Sequence, residues 1–256
     1  MRILPVLDLQ GGLVVRGIAG QREAYRPIES PLAPTPAPLS IARAYRQKFG
    51  LDELYVADLD AIARQPPADD VYRALVTDGF RLWVDAGITD TDRAAQLAEF
   101  DVGGRRLDAI VAGLESVPDP QALAEIGRVV GSERLVFSLD LAGGVPLARP
   151  AWGRRAPLEI VGEAAAAGIR RMIVLDLARV GVGSGVGTLA LCRRIRAAHP
   201  HLRLIAGGGV RHLDDLRELA AASCEAALVA SALHDGRLSR DDVAAADKLG
   251  CESNEE

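Results

Sequence analysis

The sequence predicts an α/β protein, a single (β/α)8 barrel whose two halves repeat one another. Three observations carry that expectation. The chain has 256 residues, close to the ~250 typical of one such barrel. Apolar runs of strand length alternate with helical patterns eight times. Four segments of the first half recur, in the same order, in the second.

Strands are expected at 2–8, 53–58, 81–85, 107–112, 134–140, 170–176, 202–207 and 225–230. ILPVLD, LVFSLD and MIVLD are apolar throughout rather than alternating. Strands covered on both faces read that way, so the sheet should be parallel and wrapped by helices. Helices are expected at 39–49, 68–78, 91–99, 119–130, 157–167, 187–198, 212–221 and 239–248, with Thr91 and Ser239 as candidate N-caps. Eight βα units favour closure over an open sheet. Two segments break the rhythm. RPIESPLAPTPAP (26–38) is proline-rich and disfavours helix; it should form the long loop after strand 1. GGVPLARPAWGRRAP (143–157) should do the same after strand 5. Long βα loops of a barrel usually cover its active site. The barrel should occupy 1–250, with half-barrels of about 1–131 and 132–250. The acidic tail 251–256 should be disordered.

The repeat is read segment by segment. RILPVLDLQGG (2–12) answers RLVFSLDLAGG (134–144), with Asp8 and Asp140 in register. LYVADLDAI (54–62) answers MIVLDLARV (172–180), pairing Asp58 with Asp176. LWVDAGITDTD (82–92) answers LIAGGGVRHLD (204–214), and AIVAGLES (109–116) answers ALVASALH (227–234). The order implies a duplicated (βα)4 unit. An approximate two-fold axis would then set Asp8 and Asp140 on opposite sides of one cavity.

Composition excludes several function classes. The chain is 49% hydrophobic and 25% charged, enough for a large core in a soluble, cytoplasmic protein. A net charge of −5 offers no nucleic-acid surface. A phosphorylated small molecule would have to be held by local geometry. Cys192, Cys224 and Cys251 form no CxxC pair and read as free thiols of a reducing compartment. The opening apolar run ends at Asp8, too short for a signal peptide, and no apolar run approaches the ~18 residues of a membrane span. The four histidines have no metal-ligand spacing, so no metal is expected. Nothing in the pattern selects monomer or homo-oligomer.

An aspartate at the C-terminal end of a barrel strand faces the mouth, where such barrels do chemistry. Asp8 and Asp140 have that placement, each followed by Leu-x-Gly-Gly. Opposed carboxyls in a partly dry pocket serve as general acid and base when their pKa values are pushed apart. Alone, either could simply cap its glycine-rich loop. In register, the pair points to catalysis. Asp58 reads as structural, and Asp176, before VGVGSGVG, as a substrate contact. AGGGV (206–210) and ASAL (230–233) follow strands 7 and 8, where barrels often bind phosphate through backbone N–H groups and a helix start. Gly207, Gly208, Gly209, Ala230 and Ser231 fit that cradle. The other half has Asp85 where this one has Gly207, and a carboxylate disfavours an anion. One good phosphate site and one degraded site are expected. Arg16 is a candidate contact for an anionic or hydroxylated substrate, and Trp152 for stacking on a planar base or sugar.

These residues resemble the barrel family of histidine biosynthesis across roughly 2–245. ILPVLDLQGGLVVRGIAG is similar to its opening, FSLDLAGG to its fifth strand, AWG (151–153) to its loop 5, and AGGGV with ASAL to its phosphate site. The paired aspartates favour the isomerase branch, that of phosphoribosylformimino-aminoimidazole carboxamide ribotide isomerase, over the cyclase branch. The resemblance implies an Amadori rearrangement of an aminoaldose to an aminoketose without a cofactor. Asp8 would be the base and Asp140 the acid, or the reverse.

The departures are specific. The isomerase branch usually has GGGIR after strand 3, where this chain has DAGIT, with Thr89 in place of the arginine. The threonine expected with the aspartate at the end of strand 6 is missing: the strand closes Leu175-Asp176. GQREAYRPIESPL also looks more like a divergent branch found in archaea and in methanopterin-using bacteria. The expectation is therefore a phosphosugar isomerase acting on a divergent, single-phosphate substrate. Its rivals are a lyase or cyclase in methanopterin-linked one-carbon or cofactor metabolism, and a non-catalytic phosphometabolite-binding barrel.

Overall fold

The computed structural model describes residues 1–249. The expected tail at 251–256 and Cys251 lie outside them. Eight parallel strands form the barrel: β1 (Arg2–Gln10), β2 (Glu53–Asp58), β3 (Arg81–Asp85), β4 (Ala109–Gly113), β5 (Leu135–Ala142), β6 (Arg171–Asp176), β7 (Arg203–Gly207) and β8 (Cys224–Val229). Each pairs with the next, and β8 closes on β1 with Arg2 opposite Ala226 and Pro5 opposite Val229. The intervening helices are α1 (Pro38–Phe49), α2 (Asp69–Thr77), α3 (Thr91–Ala98), α4 (Pro120–Val130), α5 (Pro157–Ala166), α6 (Leu189–Ala198), α7 (Leu213–Ala221) and α8 (Arg240–Lys248). The (β/α)8 expectation holds, and element ends fall within about two residues of those read from the sequence. None of the described helices is long and apolar enough to cross a membrane.

One N-cap differs. Ser239 caps α8 in a reciprocal box with Asp242, but α3 is capped by Asp90, which accepts from the Arg93 amide at 2.9 Å. Aspartate is a better acceptor at that position than the threonine behind it, and it suits the positive end of the helix.

The strand period of two divides the core and positions the site. Leu4, Tyr55, Trp83, Val111, Val136, Ile173, Ile205 and Leu228 fill the barrel interior. Their strand neighbours Leu7, Val56, Val84, Ile110, Phe137, Val174 and Ala206 pack against the helices. Continuing the inward alternation to the C-terminal ends of the strands brings Asp8, Asp85 and Asp140 into the barrel mouth. Asp58 and Asp176 have the opposite phase. At the floor, the Trp83 indole N–H donates to Glu53 at 2.8 Å, and Arg2 and Arg171 lie over its ring.

β1 and β5 end alike. Gly11-Gly12 and Gly143-Gly144 all have positive φ, between 57° and 82°. Each pair turns the chain back so that Leu13–Arg16 pairs with β1 and Val145–Pro146 with β5. Two-residue hairpins with both φ values positive suit glycine. The shared Leu-x-Gly-Gly thus starts both long loops. The loop after β1 lies over the mouth and joins the loop after β6, with Ala19 N–H donating to Val180 O at 2.8 Å.

Candidate active site

A cavity of about 100 Å³ opens at the C-terminal ends of the strands. Asp8, Asp85, Asp140 and Glu115 supply its carboxyls. Arg22, Tyr25 and Tyr55 supply donors, while Gly208, Gly209, Ala230 and Ser231 form one wall. The structure therefore brings the two sequence-predicted aspartates into one space. Asp140 is 5% exposed and accepts from the Ser138 hydroxyl at 2.6 Å. Among the described residues the Asp8 carboxyl accepts no hydrogen bond. Burial pushes Asp8 up to about 7, against the pull of Arg22. Burial, reinforced by Asp85, pushes Asp140 up to about 8. Asp85 rises to about 7, chiefly by burial, with the Gly87 amide opposing. Carboxyls poised near neutral pH exchange protons readily with a substrate.

The two expected anion sites are built differently. Gly208 and Gly209 have φ of +84° and +93°. A Cβ on Gly208 would meet Asp176 O at 2.7 Å, and one on Gly209 would meet Gly185 O at 2.2 Å. Only glycine fits this close approach of two loops. Ser231 begins the short helix Ser231–His234 beside them. Among the described residues, no side chain accepts from the backbone amides of 207–209 or 230–231. Gly207 itself sits beneath the cavity wall, where a Cβ would meet Leu175 and Leu228. In the other half, Asp85 Oδ1 accepts from Gly87 N–H at 3.1 Å. There the chain's own carboxylate takes the amide.

Arg16 lies beside the open cradle. It lines a small adjoining hollow with Ala230, Ser231 and His234, and its guanidinium holds both carboxylate oxygens of Asp235 at 2.8 Å. His234 bridges Tyr45 (2.6 Å) and Ser30 (2.7 Å), tying the loop after β1 to the cradle helix. Burial drops the His234 pKa to about 4, so it serves as a neutral bridge.

Two expectations are corrected. Asp176 does not enter the cavity. Its outward phase turns it to the second hairpin, where it accepts from Gly143 and Gly144 at 2.9 and 3.0 Å, and from Ala178 at 3.1 Å. Asp58, its repeat partner, is likewise structural and accepts from Ala61, Ala68 and the Tyr72 hydroxyl. Trp152 is fully buried, stacked on Phe137 at 5.8 Å, with its indole N–H on Val117 O at 2.9 Å. Its ring anchors the loop after β5 to the core and has no face open for stacking on a ligand.

Other cavity residues escaped the sequence reading. Tyr55 carries the inward phase of β2, which alternation alone could have assigned, whereas Asp85, on the inward phase of β3, was read only as an obstacle to phosphate. Arg22 and Glu115 lie on separate loops and form an ion pair across the mouth. No sequence signal joins them. A second hollow beside Thr89 is lined by Arg64, Arg93 and Arg149 from three different segments. Among the described residues, no group of His, Cys, Asp or Glu is placed to hold a metal ion.

Comparison with known proteins is consistent with this geometry. A protein of Thermus thermophilus is 31% identical over 242 residues, covering 93% of this chain and 96% of the relative. One of Deinococcus radiodurans is 31% identical over 243 residues, with 93% and 95% covered. Both are named as an isomerase of 1-(5-phosphoribosyl)-5-(5-phosphoribosylamino-methylideneamino)imidazole-4-carboxamide. An uncharacterised protein of Methanocaldococcus jannaschii is 26% identical over 246 residues, with 95% and 97% covered. Residues 2–239 match the family described as histidine biosynthesis protein, and the chain belongs to that family.

Proposed function

We propose that this chain is an aminoaldose–aminoketose isomerase acting on a phosphorylated amino sugar held by one phosphate at Gly208, Gly209, Ala230 and Ser231. The observation that carries it is the meeting of Asp8 and Asp140 in one cavity beside Gly208, Gly209, Ala230 and Ser231, whose amides no side chain among the described residues takes. The relatives named as isomerases of a phosphoribosyl compound support the reaction class.

Asp140, the carboxyl with the higher pKa, donates its proton to the ribose ring oxygen as the C1–O bond breaks and the amino nitrogen forms the C=N bond. Asp8, which Arg22 biases toward its ionised form, takes the proton from C2. The electron pair of that C–H bond becomes the C1–C2 double bond as the C=N pair returns to nitrogen, and the resulting enolamine ketonises to the product by losing its 2-hydroxyl proton and gaining one at C1. The ionised base and neutral acid coexist because their surroundings differ. The steps balance in protons and need no redox partner. Backbone amides and the start of the short helix would hold the phosphate, and Arg16 stands behind it.

A second reading keeps two phosphates, as in the substrate of the named relatives. The hollow beside Thr89 favours it, because Arg64, Arg93 and Arg149 converge there from separate segments. A lyase or cyclase on the same barrel, or a binding role without chemistry, uses the paired aspartates otherwise or not at all. The test is complementation of a bacterium lacking the histidine-pathway isomerase, with Asp8→Asn and Asp140→Asn as controls. Rescue that both substitutions abolish favours the second reading, with two phosphates. Failure by well-expressed protein, together with turnover of a single-phosphate aminoaldose that both substitutions abolish, supports the proposal, and turnover of neither overturns it.

A further inference from the structure

Gly113 ends β4 without a side chain, and two carboxyls share the space this leaves. A Cβ there would lie 3.0 Å from Asp140 Oδ2 and 3.3 Å from Asp85 Oδ2. The other oxygen of each is tied back, Asp140 Oδ1 to the Ser138 hydroxyl and Asp85 Oδ1 to the Gly87 amide. Both side chains are at least 94% buried. Two ionised carboxylates converging on one dry, methyl-sized space repel, so the pair favours holding a proton.

The repeat makes this arrangement one-sided. The half-barrel match that pairs Asp140 with Asp8 pairs Asp85 with Gly207. Asp140 therefore faces a neighbouring carboxyl, and Asp8 faces a glycine at the equivalent place. We propose that Asp85 is a positioning residue that keeps the shared proton on Asp140, making Asp140 the proton donor of the site and leaving Asp8 the acceptor. This rests on the isomerase reading for its use, but not for its physics.

The charged and titratable groups around Asp140 agree with that division. Glu115, on the loop after β4, adds negative charge near both Asp85 and Asp140 and raises both. Arg22, from the loop after β1, acts on Asp8 and Asp85 and lowers both. Tyr55, on β2, directs its hydroxyl at Asp85 and favours the charge there. Its own phenol is held well above its usual range, chiefly by burial and then by Asp85, Asp140 and Asp8, so it stays a neutral donor. The Arg22 cation thus acts on Asp8 and Asp85, while Asp140 has two neighbouring carboxyls, Asp85 and Glu115, opposed only by the Ser138 hydroxyl and the Glu115 amide, and the proton is left to Asp140.

The experiment is a carbon-13 NMR titration of aspartate carboxyls in the full chain and in Asp85→Asn, Asp85→Gly, Asp85→Glu and Asp140→Asn, beside the pH dependence of kcat. One resonance should titrate near pH 8 and vanish in Asp140→Asn. It should move down by about one pH unit or more in Asp85→Asn and Asp85→Gly and stay high in Asp85→Glu. The alkaline limb of kcat should move down with it. An Asp140 titration unmoved by either neutral substitution overturns the proposal. So does a kcat that falls equally at every pH. If the resonance moves while the full chain isomerises no phosphorylated aminoaldose, the isomerase reading fails and the coupling stands. Should Asp85→Asn not fold, Asp85→Gly, which installs the other half's residue, carries the same comparison.

Discussion

The ends of β3 and β7 are the same turn of the same repeat, yet they have opposite electrostatic character. After β7, Gly207-Gly208-Gly209 leads into a wall whose amides donate to no side chain among the described residues. After β3, Asp85-Ala86-Gly87 closes on itself, and the aspartate accepts from the Gly87 amide. One turn is left open to an outside anion, and the other is filled by the chain's own carboxylate. A duplicated barrel can therefore keep its fold in both halves while dividing its chemistry between them. In the proposed function, the phosphate end falls to one half and the proton donor's environment to the other.

The largest expected effect comes from removing the proton-transfer pair. Asp8→Asn or Asp140→Asn should lower kcat by about 10²–10⁴, the range for loss of a general acid or base, with little change in KM. A loss confined to KM would make these aspartates binding groups and remove the division between the halves. A smaller effect is expected from copying the N-terminal arrangement into the C-terminal cradle. Ser231→Asp places a carboxylate beside the amides and should raise KM by about tenfold or more, equivalent to about 1.4 kcal/mol. Unchanged KM would show that the phosphate sits elsewhere.

Much of this contrast was legible in the sequence. Eight apolar runs gave the strands, and the register of Asp8 with Asp140 gave the pair, because a strand end inside a repeat leaves little freedom. Asp85 was visible as an obstacle to phosphate, but not as a neighbour of Asp140, which depends on Gly113 from the next strand. Asp176 was misplaced because its strand reads as an unbroken apolar run. Such a run conceals the alternation that turns its carboxylate outward. Trp152 was misplaced for a related reason: a tryptophan on a loop suggests stacking, while its burial against Phe137 depends on how that loop docks. Arg22 and Glu115, like Arg64, Arg93 and Arg149, meet only through loop packing.

Two effects on stability sharpen the comparison further. Trp152→Ala removes a fully buried ring and should cost about 3–5 kcal/mol, read from urea midpoints. It should leave the titration of Asp85 and Asp140 in place if the protein stays folded. The last effect is the smallest. Asp85 carries its proton up to about pH 7, against 3.8 for the free side chain. Below the lower value both folded and unfolded chains hold the proton. As pH rises beyond it, the unfolded chain releases that proton and the folded chain does not, so stability falls until about pH 7 is passed. Asp85→Asn removes that slope. The variant should melt a few degrees above the parent at pH 8, and the gain should disappear at pH 4. Equal shifts at both pH values would mean that Asp85 is not held neutral.

The contrast between the two turns is tested most directly by a crystal structure of the protein soaked in inorganic phosphate. The expected result is one anion on the amides of Gly208, Gly209 and Ser231, with the turn at 85–87 still closed on the Asp85 carboxylate. Equal occupancy of the hollow formed by Arg64, Arg93 and Arg149, or an anion there alone, would contradict the division of labour between the two halves.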